Sequence, residues 1–252
     1  MSAANNKRDL KNYFSSYEGL PFEKHQEEFR RRALIKKLSE YNFQTASEIG
    51  CGRNSLFEFW QPAHLAQTIE PIPEFLNMAE SSLEKKKVNW RAFLGRAEDF
   101  HNFSNLQLSD ITILSSILHE VENPQEFLSS CMKITLPGGY LVVIVTNKHS
   151  IHRLLGVHYG FQESTNSKTQ TEIEMQQSHG AYSMNELRDE MELAGLEVIS
   201  METIFPKLFP HSQMATLIAS GVITEDFLKS MEDLAFWLPE IGSEILAVAR
   251  IR

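Results

Sequence analysis

The chain has 252 residues, of which 42% are hydrophobic and 23% charged, enough apolar material for one α/β domain with an elaboration and its own core. A formal net charge of −9 excludes a general binder of nucleic acid or anionic membrane, although a local basic patch stays compatible with it. Cys51 and Cys131 make no disulfide framework, the first ten residues are mostly polar, and the apolar run Leu141–Val145 is far too short to span a bilayer, so the expectation is a cytoplasmic protein with no membrane partner, a monomer or homodimer.

Residues 1–12 are polar. Tyr13, Phe14 and Tyr17 form an aromatic patch before Gly19-Leu20-Pro21, and Phe22–Glu40 follows as a helix with Phe29, Ala33, Leu34 and Leu38 on one face. The run Arg30-Arg31-Arg32 reads first as a solvated helix face; the alternative is a mobile lid, 1–40, whose aromatics Tyr13 and Tyr17 cover a ligand. Thr45–Ile49 is a strand that ends in Gly50-Cys51-Gly52-Arg53-Asn54, and a helix pattern follows at Ser55–Trp60. Glycines at that turn let a ligand approach the backbone, and a helix N-terminus there would aim free N–H groups at it. Glu48, at the strand end, can face a cationic or hydroxyl-rich group.

Leu65–Glu70 is a second strand closing on an acid. Pro71 and Pro73 open a helix with Ile72, Phe75, Leu76, Ala79 and Leu83 on its face. Val88–Leu94 is the third strand, followed by Gly95-Arg96-Ala97-Glu98-Asp99, and Asp110–Leu114 is the fourth, apolar on both faces. The loop Ser115–Glu122 leads to Asn123-Pro124-Gln125-Glu126, which has the chemistry of a helix start, and Cys131 lies on that helix's apolar face. Pro137-Gly138-Gly139 turns into the fifth strand, Tyr140–Thr146. Residues 147–183 break the rhythm. Ser183–Glu186 is a capping box for a helix ending near Gly195, Leu196–Ile204 is a strand, 206–241 is a second insertion with a helix at Thr224–Leu238, and Glu244–Ile251 is the last strand.

The alternation of strands and helices predicts an α/β fold with helices on both faces of a parallel sheet, and the full expectation is a Rossmann-like, seven-strand, mostly parallel sheet with an antiparallel last strand and an N-terminal lid helix. The chain is expected to be one domain, with a cofactor-binding half at 41–146 and substrate-side insertions at 147–183 and 206–241.

Read as an ordered set, these stations resemble class I S-adenosylmethionine-dependent methyltransferases over roughly residues 40–205 plus the last strand. The resemblance implies S-adenosyl-L-methionine as cofactor. Glu48, Gly50, Cys51, Gly52 and Asn54 would pass under its methionine part, with Asn54 where a third glycine is common. Glu70, followed by Pro71, would take the ribose hydroxyls. Ala97, Glu98 and Asp99 would meet the adenine, although Arg96 stands where many relatives have the acid. Ser115 and Ser116 would border the methyl group. Residues around Ser150–Gly156, His179–Tyr182 and Gln213-Met214 bear a fainter likeness to methyltransferases of bacterial polysaccharide or natural-product pathways.

Methyl transfer is an in-line displacement in which the protein supplies alignment, plus proton removal when the acceptor is a hydroxyl or an ammonium. His119 is the candidate base, its alternative being a residue that only lines the pocket. His152, Arg153, His179 and Tyr182 are candidate acceptor-binding residues, and Arg153 could instead cap a helix end. His119-Glu120 begins like a zinc-protease helix, but Asn123 replaces the second histidine. His149, His152 and His158 lack the cysteines or carboxylates of a metal site, so no metal is expected. The expected partner is a small-molecule acceptor methylated on oxygen or nitrogen. The rivals are an RNA or protein methyltransferase, a non-catalytic binding subunit on the same fold, and a nicotinamide dehydrogenase.

Overall fold

In the computed structural model, residues 21–169, 172–173 and 177–252 are described. Seven strands form one sheet in the order β3-β2-β1-β4-β5-β7-β6. They are β1 (Thr45–Ile49), β2 (Leu65–Glu70), β3 (Trp90–Leu94), β4 (Ser109–Ser115), β5 (Thr135–Thr146), β6 (Leu196–Ile204) and β7 (Glu244–Ile251). β7 runs antiparallel to both β5 and β6, and every other pairing is parallel. The helices are α1 (Glu23–Leu38), α2 (Pro73–Lys85), α3 (Pro124–Ile134), α4 (Ile151–His158), α5 (Met184–Leu193), α6 (His211–Ala219) and α7 (Glu225–Leu234).

The strands sort their side chains by the two-residue period of a pleated sheet. On β5, Val142 and Ile144 enter one core cluster with Phe29, Leu34, Phe57, Phe205 and Met214, while Leu141, Val143 and Val145 enter the other with Phe127, Leu128, Leu187 and Met191. Each fully buried large side chain contributes about 1.5–3 kcal/mol. Phe127, Phe57 and Phe205, at most 2% exposed, therefore hold α3, the turn after β1 and the end of β6 to the sheet. The predicted starts of α3 and α5 are present. Asn123 Oδ1 accepts from Glu126 N at 3.3 Å, and Ser183 and Glu186 form a reciprocal capping box.

Four local expectations change. The helix pattern at Ser55–Trp60 is only a 3-10 turn, Leu56–Glu58, because Pro62 follows closely and biases the chain towards extended structure. β5 begins at Thr135, so Pro137-Gly138-Gly139 lies within it, at a shift of register against β4. Within 147–183, α4 is a helix where the sequence showed little periodicity. Finally, the arginine run on α1 is not simply a solvated face. Gln26, Phe29, Leu34 and Leu38 are buried on it, and Phe29 stacks on Phe205 with ring centroids 3.9 Å apart. Arg30 is itself 11% exposed at its side chain and pairs with Glu244 and Glu23. Tyr13 and Tyr17 lie outside the described residues.

The parallel strands bring their carboxyl ends to one rim: Gly50 after β1, Glu70 on β2, Gly95 after β3, Ser116 after β4, Thr146 on β5 and Lys207 just past β6. An antiparallel β7 brings its first residue to the same rim, so Glu244 sits opposite Thr146.

Candidate active site

A cavity of about 1280 Å³ opens at this rim. Its floor is the strand ends, α1 gives one wall, and α4 with the segment Lys207–Gln213 gives another.

The turn after β1 is shaped by two glycines in the left-handed region, Gly50 at φ 75° and Gly52 at φ 55°. A Cβ on Gly50 would come 2.8 Å from Ile117 Cδ1, whereas one on Gly52 would meet no atom within 4 Å. Both glycines line the cavity, with Cys51 and Asn54. Cys51 packs with Ile72, Phe75 and Ala79, and burial pushes its thiol up, so it is a small apolar filler. Asn54 is exposed and donates to Glu27 Oε2 at 3.2 Å.

Two acids lie beneath the turn, and burial raises each to about 7. Glu48 is occupied by the protein: Ser55 Oγ donates to Oε2 at 2.6 Å and Leu56 N to Oε1 at 2.9 Å. Glu48 nevertheless lines the cavity. Its charge is spent fixing the start of the 3-10 turn, where the missing helix N-terminus was expected. Glu70 is different. Ile72 N donates to Oε1 at 2.9 Å, whereas the contacts to Oε2 are long, Gly52 N at 3.4 Å and the Cys51 thiol at 3.8 Å. A buried carboxylate with spare acceptor capacity beside an open glycine turn is arranged to receive hydroxyl donors.

Beyond β3, Ala97 is buried and Glu98 half-buried, both on the cavity, and burial raises the Glu98 carboxyl. Asp99, by contrast, is exposed and outside the lining, because a 3-10 turn at Ala97–Asn102 swings it to the surface. Pro71, Ser115 and Ser116 line the cavity, Ser116 at φ 63°.

His119 is buried, lines the cavity and has no hydrogen-bond partner at Nδ1. Burial lowers its pKa below the ordinary imidazole value, so it is neutral at pH 7 and can accept a proton. The expected acceptor residues divide. His152 and Arg153 line the cavity, but Arg153 is ion-paired with Glu172 and is not a free anchor through that guanidinium nitrogen. His179 and Tyr182 do not line it. His179 N donates to His119 O at 3.0 Å and its ring Nε2 lies 3.3 Å from Glu122 O, so it braces the loop after β4 from behind. Tyr182 is buried in the core beside Leu187 and bridges Asn147, and burial pushes its phenol up. Exposed His149 and His158 do not join His152, and among the described residues no group of three His, Cys, Asp or Glu could hold a metal.

Gln26, Lys207, His211 and Glu244 are among the cavity residues that the sequence did not point to. For Glu244 and Lys207 a signal existed, since an antiparallel last strand starts, and a parallel β6 ends, at the ligand rim.

Residues 47–143 match the family model described as a methyltransferase domain. The stretch that holds the glycine turn, Glu70 and the loop after β4 is thus similar to a methyltransferase domain. Among curated proteins the chain is similar to thiol S-methyltransferase TMT1B of Rattus norvegicus, 23% identical over 120 residues, 45% of this chain and 49% of the relative. The chain thus spans about half the length of the curated relatives it matches. Among solved structures it is similar to the plantazolicin methyltransferase BamL, crystallised with a triazolic desmethylPZN analog and SAH, with a TM-score of 0.59, 13% identity, and 96% of this chain and 90% of that one covered. It is equally similar to the [4+2]-cyclase SpnF, with a TM-score of 0.59, 13% identity, and 88% and 79% covered. At these identities the likeness is one of fold, and BamL and SpnF show the fold under two different chemistries. No helix among the described residues is long and apolar enough to cross a membrane.

Proposed function

We propose that the protein binds S-adenosyl-L-methionine in the half of the cavity under the glycine turn and transfers its methyl group to an oxygen or nitrogen of a small molecule held in the other half. The observation that carries the reading is Glu70: a buried carboxylate at the carboxyl end of β2, with acceptor capacity left over, beside a glycine turn that a ligand can approach. Glu70 would take the ribose hydroxyls, Gly50 and Gly52 would admit the methionine portion, and Ala97 with Glu98 would meet the adenine. The cofactor supplies a methyl group on a sulfonium leaving group. The protein's own work is alignment, exclusion of water and proton removal. His119, neutral at pH 7 and on the cavity wall, would take the acceptor's proton, and His179 holds the loop that carries it. The segments 147–183 and 206–241 would build the acceptor end, since α4 and Lys207–Gln213 form its wall.

A large, walled cavity and an acidic chain favour a small acceptor over RNA or a protein surface. The cyclase SpnF keeps a second reading open, a non-methylating enzyme or binding protein on the same scaffold. The experiment is incubation of the purified chain with S-adenosylmethionine carrying a labelled methyl group and a panel of small phenols, amines and thiols. Mass spectrometry should show a labelled methyl on an oxygen or nitrogen nucleophile. Cofactor binding without transfer to any nucleophile class would favour the second reading.

A further inference from the structure

The acceptor end of the cavity contains a buried cation, Lys207, that no carboxylate among the described residues contacts directly. Lys207 is 4% exposed, and its backbone N–H donates to Phe205 O at 2.8 Å in the turn that follows β6. Its ammonium lies 5.9 Å from the Phe22 ring centroid, and among the described residues no carboxylate stands within ion-pair distance of it. A buried ammonium is costly unless something compensates it. Beside it, Arg153 is also buried. One guanidinium nitrogen holds Glu172, while Nε has no hydrogen-bond partner. Both residues line the cavity, as does His152. Burial lowers the His152 imidazole, and Lys207, Arg153 and His211 lower it further.

We propose that Lys207 and the Nε–H of Arg153 form an anion-binding corner of the acceptor pocket, and that the acceptor carries a carboxylate at the end remote from the atom that receives the methyl group. One unpaired ammonium and one unpaired N–H suit the charge and two oxygens of a carboxylate. This rests on the cavity being the acceptor pocket of a methyltransferase. The groups that act on Lys207 are Glu23 and Arg30 from α1, Glu244 from β7 and Arg153 from α4, with His152 and His211 close by; burial lowers Lys207 to about 8 despite Glu23 and Glu244. Anion binding should therefore weaken as the pH rises through that value.

The test uses the full chain, free and saturated with S-adenosylhomocysteine, and three probes, salicylate, 4-hydroxybenzoate and 3-(4-hydroxyphenyl)propionate, each titrated calorimetrically beside its carboxamide. At pH 7 at least one acid should bind roughly tenfold or more tightly than its amide, as expected for hydrogen bonds to a charged group. Lys207→Met should bring the pair within about twofold, and Lys207→Arg should keep the preference. In the wild type the preference should shrink several-fold between pH 7 and 9.5, which decides the matter even if Lys207→Met fails to fold. Equal binding of acids and amides, a preference that survives Lys207→Met, or one indifferent to pH would overturn the proposal. Failure of S-adenosylhomocysteine to bind would instead overturn the cofactor reading, and the acid–amide comparison on the free protein would still decide the corner.

Discussion

Glu70→Gln is the most informative single change, because it keeps the shape of the side chain and removes its charge. In the structure one carboxylate oxygen accepts from Ile72 N at 2.9 Å, and the other has long contacts, from Gly52 N at 3.4 Å and a thiol at 3.8 Å. A glutamine retains the first bond but presents an amide N–H₂ where the second acceptor was. A hydrogen bond to a charged group is worth about 1.5–3 kcal/mol, so losing one charged acceptor should weaken S-adenosylhomocysteine binding roughly 10- to 150-fold. The pH dependence gives an independent check. Burial holds Glu70 at about 7 in the free protein, against an ordinary value of 4.5. Hydroxyl donors favour the ionised form, so binding should release a proton near neutrality and the affinity should rise between pH 6 and 8. That rise should flatten in the variant. For stability the sign is opposite: a carboxyl raised on folding costs the free protein stability as pH climbs from about 4.5 to about 7, and Glu70→Gln should lessen that loss. Isothermal titration calorimetry at several pH values, with thermal melts of the free proteins, measures all three. A Glu70→Gln protein that binds within twofold of wild type, with the same pH slope, would refute the reasoning.

Three further outcomes follow from the same geometry. With an acceptor found by the labelling screen, His119→Ala should lower kcat by about 10²-fold while S-adenosylhomocysteine affinity holds, and an unchanged kcat would leave alignment alone as the catalysis. Glu48→Ala should cost roughly 1–3 kcal/mol in denaturant unfolding, because Ser55 Oγ and Leu56 N lose their buried acceptor; a melt equal to wild type would show that water replaces it. Tyr182→Ala should lower the unfolding free energy by about 3 kcal/mol or more, as large-to-small core changes do, while a stable variant with a raised acceptor KM would return Tyr182 to the pocket.

The residues show why part of the site was readable and part was not. Gly50, Gly52, Glu70 and Ser115 sit at the ends of short apolar strands, and a parallel sheet sends those ends to one rim, so chain order alone locates them. Side-chain direction within a loop has no such rule. Asp99 follows Glu98 by one residue, yet a 3-10 turn carries it out to solvent. Tyr182 and His179 sit in a polar stretch that looked like a binding loop, but one bridges the end of β5 and the other supports the backbone of His119. Arg30 looked solvated because neighbouring arginines usually are; its partner Glu244 is 214 positions away, beyond any local pattern. Glu48 shows a second role that no local pattern reveals, since besides lining the cavity it accepts from Ser55 and Leu56 and so fixes its own turn.

The central claim is that the cavity under the glycine turn is a cofactor site, and direct titration of the purified wild-type chain with S-adenosylmethionine tests it most plainly. One molecule should bind per chain, with a thermal shift that grows with ligand concentration as linkage requires, and NADH should not compete for the site. No heat and no thermal shift at millimolar S-adenosylmethionine, in a protein whose circular dichroism shows it folded, would contradict the account.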